Sequence, residues 1–415
     1  MSTALRLRLF EAFGVELEYM IVDARSLDVR AIADELLRDA TGGEEYVGEV
    51  ESGDVSWSNE LVAHVVELKT TDPATSLVPL AGSFQSQVRR INELLARHGA
   101  KLMPGGMHPW MDPLRETKLW PHDCNEIYEA FNKIFDCQGH GWSNLQSVHL
   151  NLPFGNDEEF GRLHAAIRLV LPILPALAAS SPIVEGRGSG TLDTRLEVYR
   201  TNSRRIPAIT GHVVPEPVFS EADYRQVILN TLYAEIAPHD PEGVLQEEWL
   251  NARGAIARFE RNTIEIRVLD IQECPAADLA ICGLTVAALR ALVDGRFTTL
   301  AQQQAWPAER LAEILLSAIR DGEQAMVRDT EYLRLFGLDA SSATLADLWR
   351  HINDRVADRP GRTPETDEAL QVILQQGPLA RRLLRALGGE SPDRAALTQV
   401  YGRLCDCLSR GEMFL

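Results

Sequence analysis

Several short apolar segments carry charged side chains at alternate positions, and this pattern constrains the chain more than any other feature. In "GVELEYMIVD" (residues 14–23), Glu16 and Glu18 share one side of a strand, with Val15, Leu17 and Tyr19 on the other, because successive side chains of a strand point to opposite faces. "VVELKT" places Glu67 in the same setting. "SVHLNLPF" sets His149 and Asn151 on one face, with Val148, Leu150 and Leu152 behind them. In "TIEIRVLD", Ile264, Ile266 and Val268 alternate with Glu265 and Arg267, and Asp270 follows.

Each segment taken alone has a plain reading. Glu16 and Glu18 read as the solvated face of an edge strand, His149 as a hydrogen-bonded structural residue, and Glu265 with Arg267 as an ion pair of little worth. Glu60, in "SNELVAHVVELKT", lies seven residues before Glu67. Strand alternation would put these two acids on opposite faces unless a bend or bulge intervenes, whereas a short helix would put them on one face. Taken together the segments weigh more. Buried, unpaired carboxylates are costly, and several can converge when divalent cations lie between them. Oxygen ligands with an occasional imidazole suit Mg²⁺ or Mn²⁺, ions that also hold substrate phosphates. The chain has no GxxxxGK[ST] loop, so a nucleotide would be held through metals and arginines. Arg195 and Arg200, and Arg258, Arg261 and Arg267 near the late strand, can supply bidentate contacts to phosphate or carboxylate; Arg187, Arg204 and Arg205 read as surface residues.

The net charge of -19 leaves no basic surplus for a nucleic-acid partner. An anionic substrate would need a local cluster of arginines or bound cations. The six cysteines, Cys124, Cys137, Cys274, Cys282, Cys405 and Cys407, form no CxxC pair and read as reduced thiols. The N-terminus lacks an uninterrupted apolar core of signal-peptide type. "LHAAIRLVLPILPALAASSP" contains Arg168 and two prolines and reads as a buried helix rather than a membrane span. The expectation is a cytoplasmic protein with neither nucleic-acid nor membrane partners.

The first part of the chain mixes strand and helix signals, including a helix starting at Asp72-Pro73 and ending at Gly99. From about residue 276 the chain reads as helical throughout. The fold class is α+β, divided into residues 1–300, carrying the acid-bearing strands, and a helical region 301–415 packed on it. Its apolar helices leave open whether they pack internally or across a homo-oligomer.

"GVELEY", "NELVAHVVELKT", "GGMHPW", "SVHLNL", "SSPIVEGRGSGTLDTR" and "ARFERNTIEIRVLDIQ", in this order, resemble the motifs of the glutamate–cysteine ligase / carboxylate–amine ligase family, within the glutamine-synthetase-like superfamily. The resemblance covers about residues 10–300. It implies an antiparallel sheet forming an open cradle with flanking helices and metal-binding acids on its concave face. Carried over residue by residue, it makes Glu16, Glu18, Glu60, Glu67, His149 and Glu265 metal ligands. It makes Arg195 and Arg267 catalytic contacts to phosphate or carboxylate, and assigns Arg258, Asn151 and His108 to substrate or nucleotide. Many bacterial members carry His-x-His where this chain has His149 and Asn151; His-x-Asn is more similar to proteobacterial glutamate–cysteine ligases, which favours glutamate as acyl donor. "QGHGW" departs from the usual pattern, so His140 and Trp142 shape a different acceptor pocket. The implied reaction is ATP-dependent amide formation through an acyl phosphate, with Mg²⁺ or Mn²⁺ as cofactor, ATP as co-substrate, and glutamate and an amine such as cysteine as substrates. A non-catalytic ATP- or amino-acid-binding relative and a phosphotransferase on the same fold are the alternatives.

Overall fold

The computed structural model describes residues 6–43, 45–123, 125–356, 359–389 and 391–415. Its centre is an eight-stranded sheet built from β1 (Gly14–Asp23), β2 (Glu49–Ser52), β3 (Val55–Asn59), β4 (Val65–Thr70), β5 (Ala100–Met103), β6 (Ser147–Pro153), β7 (Ala255–Arg258) and β8 (Thr263–Asp270). The strands lie in the order β2-β3-β4-β1-β6-β8-β7, with β5 also paired to β1. Every pairing is antiparallel. β1 is therefore flanked along its whole length: β4 runs on one side, while β6 pairs with its first half and β5 with its second.

The alternation predicted for these strands is what separates core from site. Val15, Leu17, Tyr19 and Ile21 join the main apolar cluster together with Leu68, Val148, Leu150 and Ile264. Behind this face pack α1 (Leu80–Leu95), α3 (Asp157–Val170) and α5 (Pro275–Val293), while α2 (Asn125–Phe135) and α4 (Thr194–Asn202) flank the other face. The opposite face of β1 changes character along its length. Glu16 and Glu18 come first; Met20 and Val22 follow and enter a second apolar cluster with Leu379 and Leu383 of α7 (Leu379–Leu387) and Leu397, Tyr401 and Leu404 of α8 (Arg394–Arg410), which α6 (Pro364–Gln376) precedes. The C-terminal helices thus seal one end of the face on which the acids stand. Glu273, just beyond β8, is buried in an ion pair with Arg382 of α7, whose guanidinium also donates to the Phe414 carbonyl at 2.8 Å.

Two expectations are corrected. The helix expected from Asp72 begins only at Leu80, because Ala74 exchanges backbone hydrogen bonds of 2.8 and 2.9 Å with Phe13 and so extends the pairing of the sheet. α1 then shows the expected spacing, with Leu80, Phe84, Val88, Ile91 and Leu95 buried on one side. The C-terminal part is not helical throughout: Met326–Val327 pairs with Ala343–Thr344 as a small ribbon, and α6 and α7 are separated at Gly377, whose φ of 89° and following proline stop the helix. The helices after residue 300 share the main apolar cluster with the sheet, since it includes Trp349, Ile373 and Leu408 as well as Phe13.

The segment 163–182 is buried, as expected; α3 gives way to a 3₁₀ turn at Leu171–Ile173 and a helical turn at Pro175–Ala178. Among the described residues, α5 is the helix long and apolar enough to cross a membrane, and 83% of its most apolar 18-residue window is buried inside the protein. Cys137, Cys274, Cys282, Cys405 and Cys407 are buried free thiols; Cys124 lies outside the described residues.

Candidate active site

The register of the sheet brings the acids together. Glu16 of β1 lies opposite His149 of β6 and Lys69 of β4, Glu18 lies opposite Glu67, and Glu265 of β8 lies opposite Asn151. These side chains all point to the same face. His149 is at the centre. Its Nδ1 is 2.6 Å from Glu16 Oε2 and 3.8 Å from Glu265 Oε1, and its Nε2 is 3.7 Å from Glu18 Oε1. Two trios, Glu16–His149–Glu265 and Glu18–Glu67–His149, each place their ligand atoms within 4.8 Å of one another.

Smaller contacts fix each acid. Asn151 Nδ2 donates to Glu16 at 3.0 Å. Glu18 Oε2 accepts from the Ser147 backbone N–H at 2.6 Å and from its hydroxyl at 3.0 Å. Glu67 accepts from the Ser58 hydroxyl at 2.9 Å. Glu60 reaches the same patch because β3 and β4 form a hairpin whose turn spans residues 60–64. The chain reverses between the two acids seven residues apart, so neither the bulge nor the short helix considered from the sequence is needed.

The charges do not balance locally. Burial pushes the Glu60 carboxyl up, the Glu18 and Glu16 charges add to this, and it settles at about 7. Glu67 is held well above the carboxylate range by burial, Glu16 and Glu60. Burial also opposes ionisation of Glu16, but its hydrogen bond and charge interaction with His149, aided by Asn151 and Arg267, outweigh this and hold it at about 2. Burial lowers the affinity of His149 for a proton, yet Glu16, Glu18 and Glu265 raise it to about 9. Five carboxylates share one imidazole and Arg267, with Lys69, 3.7 Å from Glu67, and Arg258, 3.8 Å from Glu265, divided between these acids and Glu49 and Glu260; the remaining negative charge raises the proton affinity of Glu60 and Glu67. Such a donor set, oxygen-rich with one imidazole, fits a hard divalent cation.

The arginines divide. Arg267 Nε is 3.3 Å from Glu265, and its proton is held tightly; burial opposes this, but Tyr199, Glu265, Glu18 and Glu16 outweigh it. Arg195 is buried on α4 and paired with Asp270, and it donates to the Arg267 carbonyl at 3.4 Å. Arg258 stands behind Glu265 at 3.8 Å and is also paired with Glu260. Arg200 pairs with Glu197 along α4, and Arg205 donates to the Ile134 carbonyl.

The expectation that His108 contacts substrate or nucleotide is corrected. Its ring is fully buried, with Nε2 2.8 Å from the Leu27 carbonyl and Nδ1 accepting from the Trp110 N–H at 3.3 Å. Burial lowers its proton affinity to about 3, and it joins neither trio. Its two ring nitrogens are occupied by backbone groups, which makes it a residue of the loop that follows β5. The residue sequence reasoning missed is Asp270. Its carboxylate accepts from Ser180 N–H at 2.8 Å and from the Ser181 hydroxyl at 2.7 Å, and it anchors Arg195. Gly106 makes room for it, since a Cβ there would fall 2.5 Å from Asp270 Cγ.

Two cavities meet the acid patch. One of about 660 Å³ opens beside Glu16 and is lined by Phe13, Gly14, Lys69, Asn151 and Arg261. The other, of about 240 Å³, lies beside Glu18 and Glu60, with His149, Arg195, Tyr199 and Arg267 in its wall.

Residues 12–401 match the family model described as glutamate-cysteine ligase family 2. An uncharacterized protein of Archaeoglobus fulgidus is 34% identical over 97% of this chain and 100% of its own length. A Bradyrhizobium protein named "Putative glutamate--cysteine ligase 2" is 26% identical over 94% of this chain and 86% of its own. Among solved structures, a Francisella tularensis glutamate–cysteine ligase in complex with AMP matches with a TM-score of 0.57 at 12% identity, covering 98% of this chain and 90% of that one. A bifunctional glutathione synthetase from Pasteurella multocida matches with a TM-score of 0.55 at 14% identity, covering 96% of this chain and 52% of that one. The fold is therefore shared with these two ligases, and the chain belongs to glutamate–cysteine ligase family 2.

Proposed function

We propose that this protein is an ATP-dependent carboxylate–amine ligase that activates the γ-carboxylate of glutamate and joins it to an amine. The observation that carries this reading is the acid patch around His149, set between a cavity of nucleotide size and a smaller one. The larger cavity, beside Glu16 and Lys69, suits ATP; the smaller, beside Glu18 and Arg267, suits the substrate carboxylate and the amine. A carboxylate is a poor acyl donor because oxide is a poor leaving group. One of its oxygens attacks the γ-phosphorus, the bond to the β-phosphate oxygen breaks, and ADP leaves. The amine nitrogen then attacks the acyl carbon, phosphate departs with the carbon–oxygen pair, and the nitrogen loses its proton.

The first step brings two anions together, which the residues of the patch are suited to manage. Glu16, Glu265 and His149, and Glu18, Glu60, Glu67 and His149, would hold Mg²⁺ or Mn²⁺. When bound, these ions supply positive charge that screens the phosphates from the carboxylate and aligns them. Arg267 offers the fixed cation nearest the patch for charge developing on the transferred phosphoryl group, and Arg195 supports its backbone. Loss of one such preorganised contact costs about 3–4 kcal/mol of transition-state stabilisation. Arg258 and Asn151 act on the acids themselves, holding Glu265 and Glu16 in place.

The test is to incubate the full chain with ATP, Mg²⁺, glutamate and a panel of amines including cysteine, following ADP release and amide formation by mass. ADP and amide appearing together support the ligase. ADP appearing with none of the pairs overturns it.

A further inference from the structure

The lining of the smaller cavity falls into two sets. One is the charged set already described. The other is apolar: Phe131, Trp142 and Trp249, with Leu145 and Leu250. Phe131 packs against both indoles, 5.4 Å from Trp142 and 5.9 Å from Trp249 between ring centroids. All three are only partly buried, so part of their apolar surface faces the cavity. The Trp142 indole and the Asn202 amide beside it are bonded within the protein, while Tyr199, also in the lining, has a hydroxyl with no hydrogen-bond partner. Trp142 Nε1 donates to the Asn202 carbonyl at 3.3 Å, and Asn202 Nδ2 donates to the Gly141 carbonyl at 3.0 Å. Asn59 Nδ2 donates to the Tyr128 hydroxyl at 3.1 Å. The arginines lining the cavity, Arg195 and Arg267, belong to the charged set, and each already faces a carboxylate.

A pocket so divided recognises a molecule so divided. The charged set takes the carboxylate that is activated. The rings offer dispersion contact and dehydration to a side chain that has no polar group of its own to satisfy. A thiol on one methylene covers little of such a wall, whereas one ring or a branched alkyl group covers it well. We infer that the amine accepted at this site carries an apolar side chain of leucine to phenylalanine size, packed among Phe131, Trp142 and Trp249, and that cysteine is a poor acceptor. This rests on the ligase reading above. The chemical step is unchanged: the amine nitrogen forms a bond to the acyl carbon, the carbon–oxygen bond to phosphate breaks, and the nitrogen's proton leaves.

The experiment has two arms, both on the full chain. In the first, kcat/KM is measured with ATP, Mg²⁺ and glutamate for alanine, cysteine, leucine, phenylalanine and phenethylamine. The expected result is at least a tenfold advantage of leucine or phenylalanine over cysteine and alanine, in the range that methylene-sized differences in apolar pockets produce, roughly 10–200-fold. Trp142→Ala should erase that advantage, and Phe131→Leu, a milder change that keeps the wall apolar, should reduce it for phenylalanine more than for leucine. Cysteine equal to or better than the apolar amines overturns the inference. In the second arm, phenethylamine is titrated against intrinsic tryptophan fluorescence without ATP. Saturable quenching that is lost in Trp142→Phe supports the pocket even if no amine yields ADP, in which case the ligase reading alone falls. Absence of both quenching and turnover with the apolar amines overturns the assignment of the pocket.

Discussion

Stripped of divalent cations, the folded protein should lose stability as pH rises from about 6.5 to about 9, and cations should reverse the trend. His149 holds its proton up to about 9 in the folded chain, against an ordinary value of 6.5. At about 1.4 kcal/mol for each tenfold change in proton affinity, that difference contributes about 3 kcal/mol. A raised imidazole favours the folded state fully below the unfolded value and loses that contribution as pH climbs through the folded one. Glu60, raised from 4.5 to about 7, has the same sign in a lower window, because its ionisation is resisted only when folded. Glu16, lowered to about 2, has the opposite sense; its contribution is complete above 4.5 and is lost as pH falls toward 2. An unfolding entropy of about 2.1 cal/mol/K per residue over 415 residues amounts to about 0.9 kcal/mol/K, so about 3 kcal/mol lowers the melting temperature by about 3 °C. Cation ligation needs a neutral ring and ionised carboxylates, so binding should release protons and stabilise more at higher pH. The assay is thermal unfolding from pH 5 to 9 in EDTA and in millimolar Mg²⁺ or Mn²⁺, with calorimetry in buffers of different ionisation enthalpy to count protons. A melting temperature in EDTA that is flat or rising between pH 6.5 and 9, with no proton release on adding either ion, would refute the reasoning.

Glu18→Gln should abolish turnover while keeping the far-ultraviolet circular dichroism of the parent, because the amide oxygen still accepts from Ser147 but the ligand charge is gone; near-parental turnover counts against a metal role. Asp270→Asn breaks the buried pair with Arg195 and should cost about 3–5 kcal/mol in urea unfolding together with a loss of kcat. Gly106→Ala should act on the same pair from behind, since its Cβ would stand 2.5 Å from Asp270 Cγ; an overpacking cost of about 1–3 kcal/mol is expected, and no change in stability argues against the close packing. Leu404→Ala, in the second apolar cluster, should cost about 2–5 kcal/mol, and a neutral result would show that α8 does not buttress β1.

The strands and the acids on them were legible because a period of two is a local property: Glu16, Glu18, His149 and Glu265 each announce a polar face within their own segment. What a local pattern cannot show is which faces meet. Glu60 and Glu67 looked seven residues out of phase, and only the hairpin turn at 60–64 resolves them. Asp270 was visible at the end of its strand, but its partner Arg195 lies 75 residues away in the sequence. His108 was misplaced for the same reason: its ring bonds to Leu27, and no spacing within "GGMHPW" reveals that contact. The late start of α1 likewise follows from the pairing of Ala74 with Phe13, a tertiary contact that overrides the helix signal of Asp-Pro.

The sheet also explains how one chain can carry so many buried acids. Its two faces have separate tasks. Val15, Leu17, Tyr19, Leu68, Val148 and Leu150 on one face belong to the main apolar cluster, and their burial does not involve the acids. The other face is electrostatically costly without a cation, but Met20 and Val22 anchor the same strand to the C-terminal helices just beyond Glu18. Cost and support therefore lie next to each other on β1, and the backbone register that fixes one fixes the other. Substitutions that remove a cation ligand from the acid face, such as Glu67→Gln with its Ser58 hydrogen bond retained, should leave the melting temperature in EDTA unchanged or raised while abolishing the stabilisation by Mg²⁺. Substitutions on the apolar face should lower the melting temperature equally with and without the ion. A Glu67→Gln protein that melts lower than the parent in EDTA would mean that the acid face helps to hold the fold, and that the two faces are not independent.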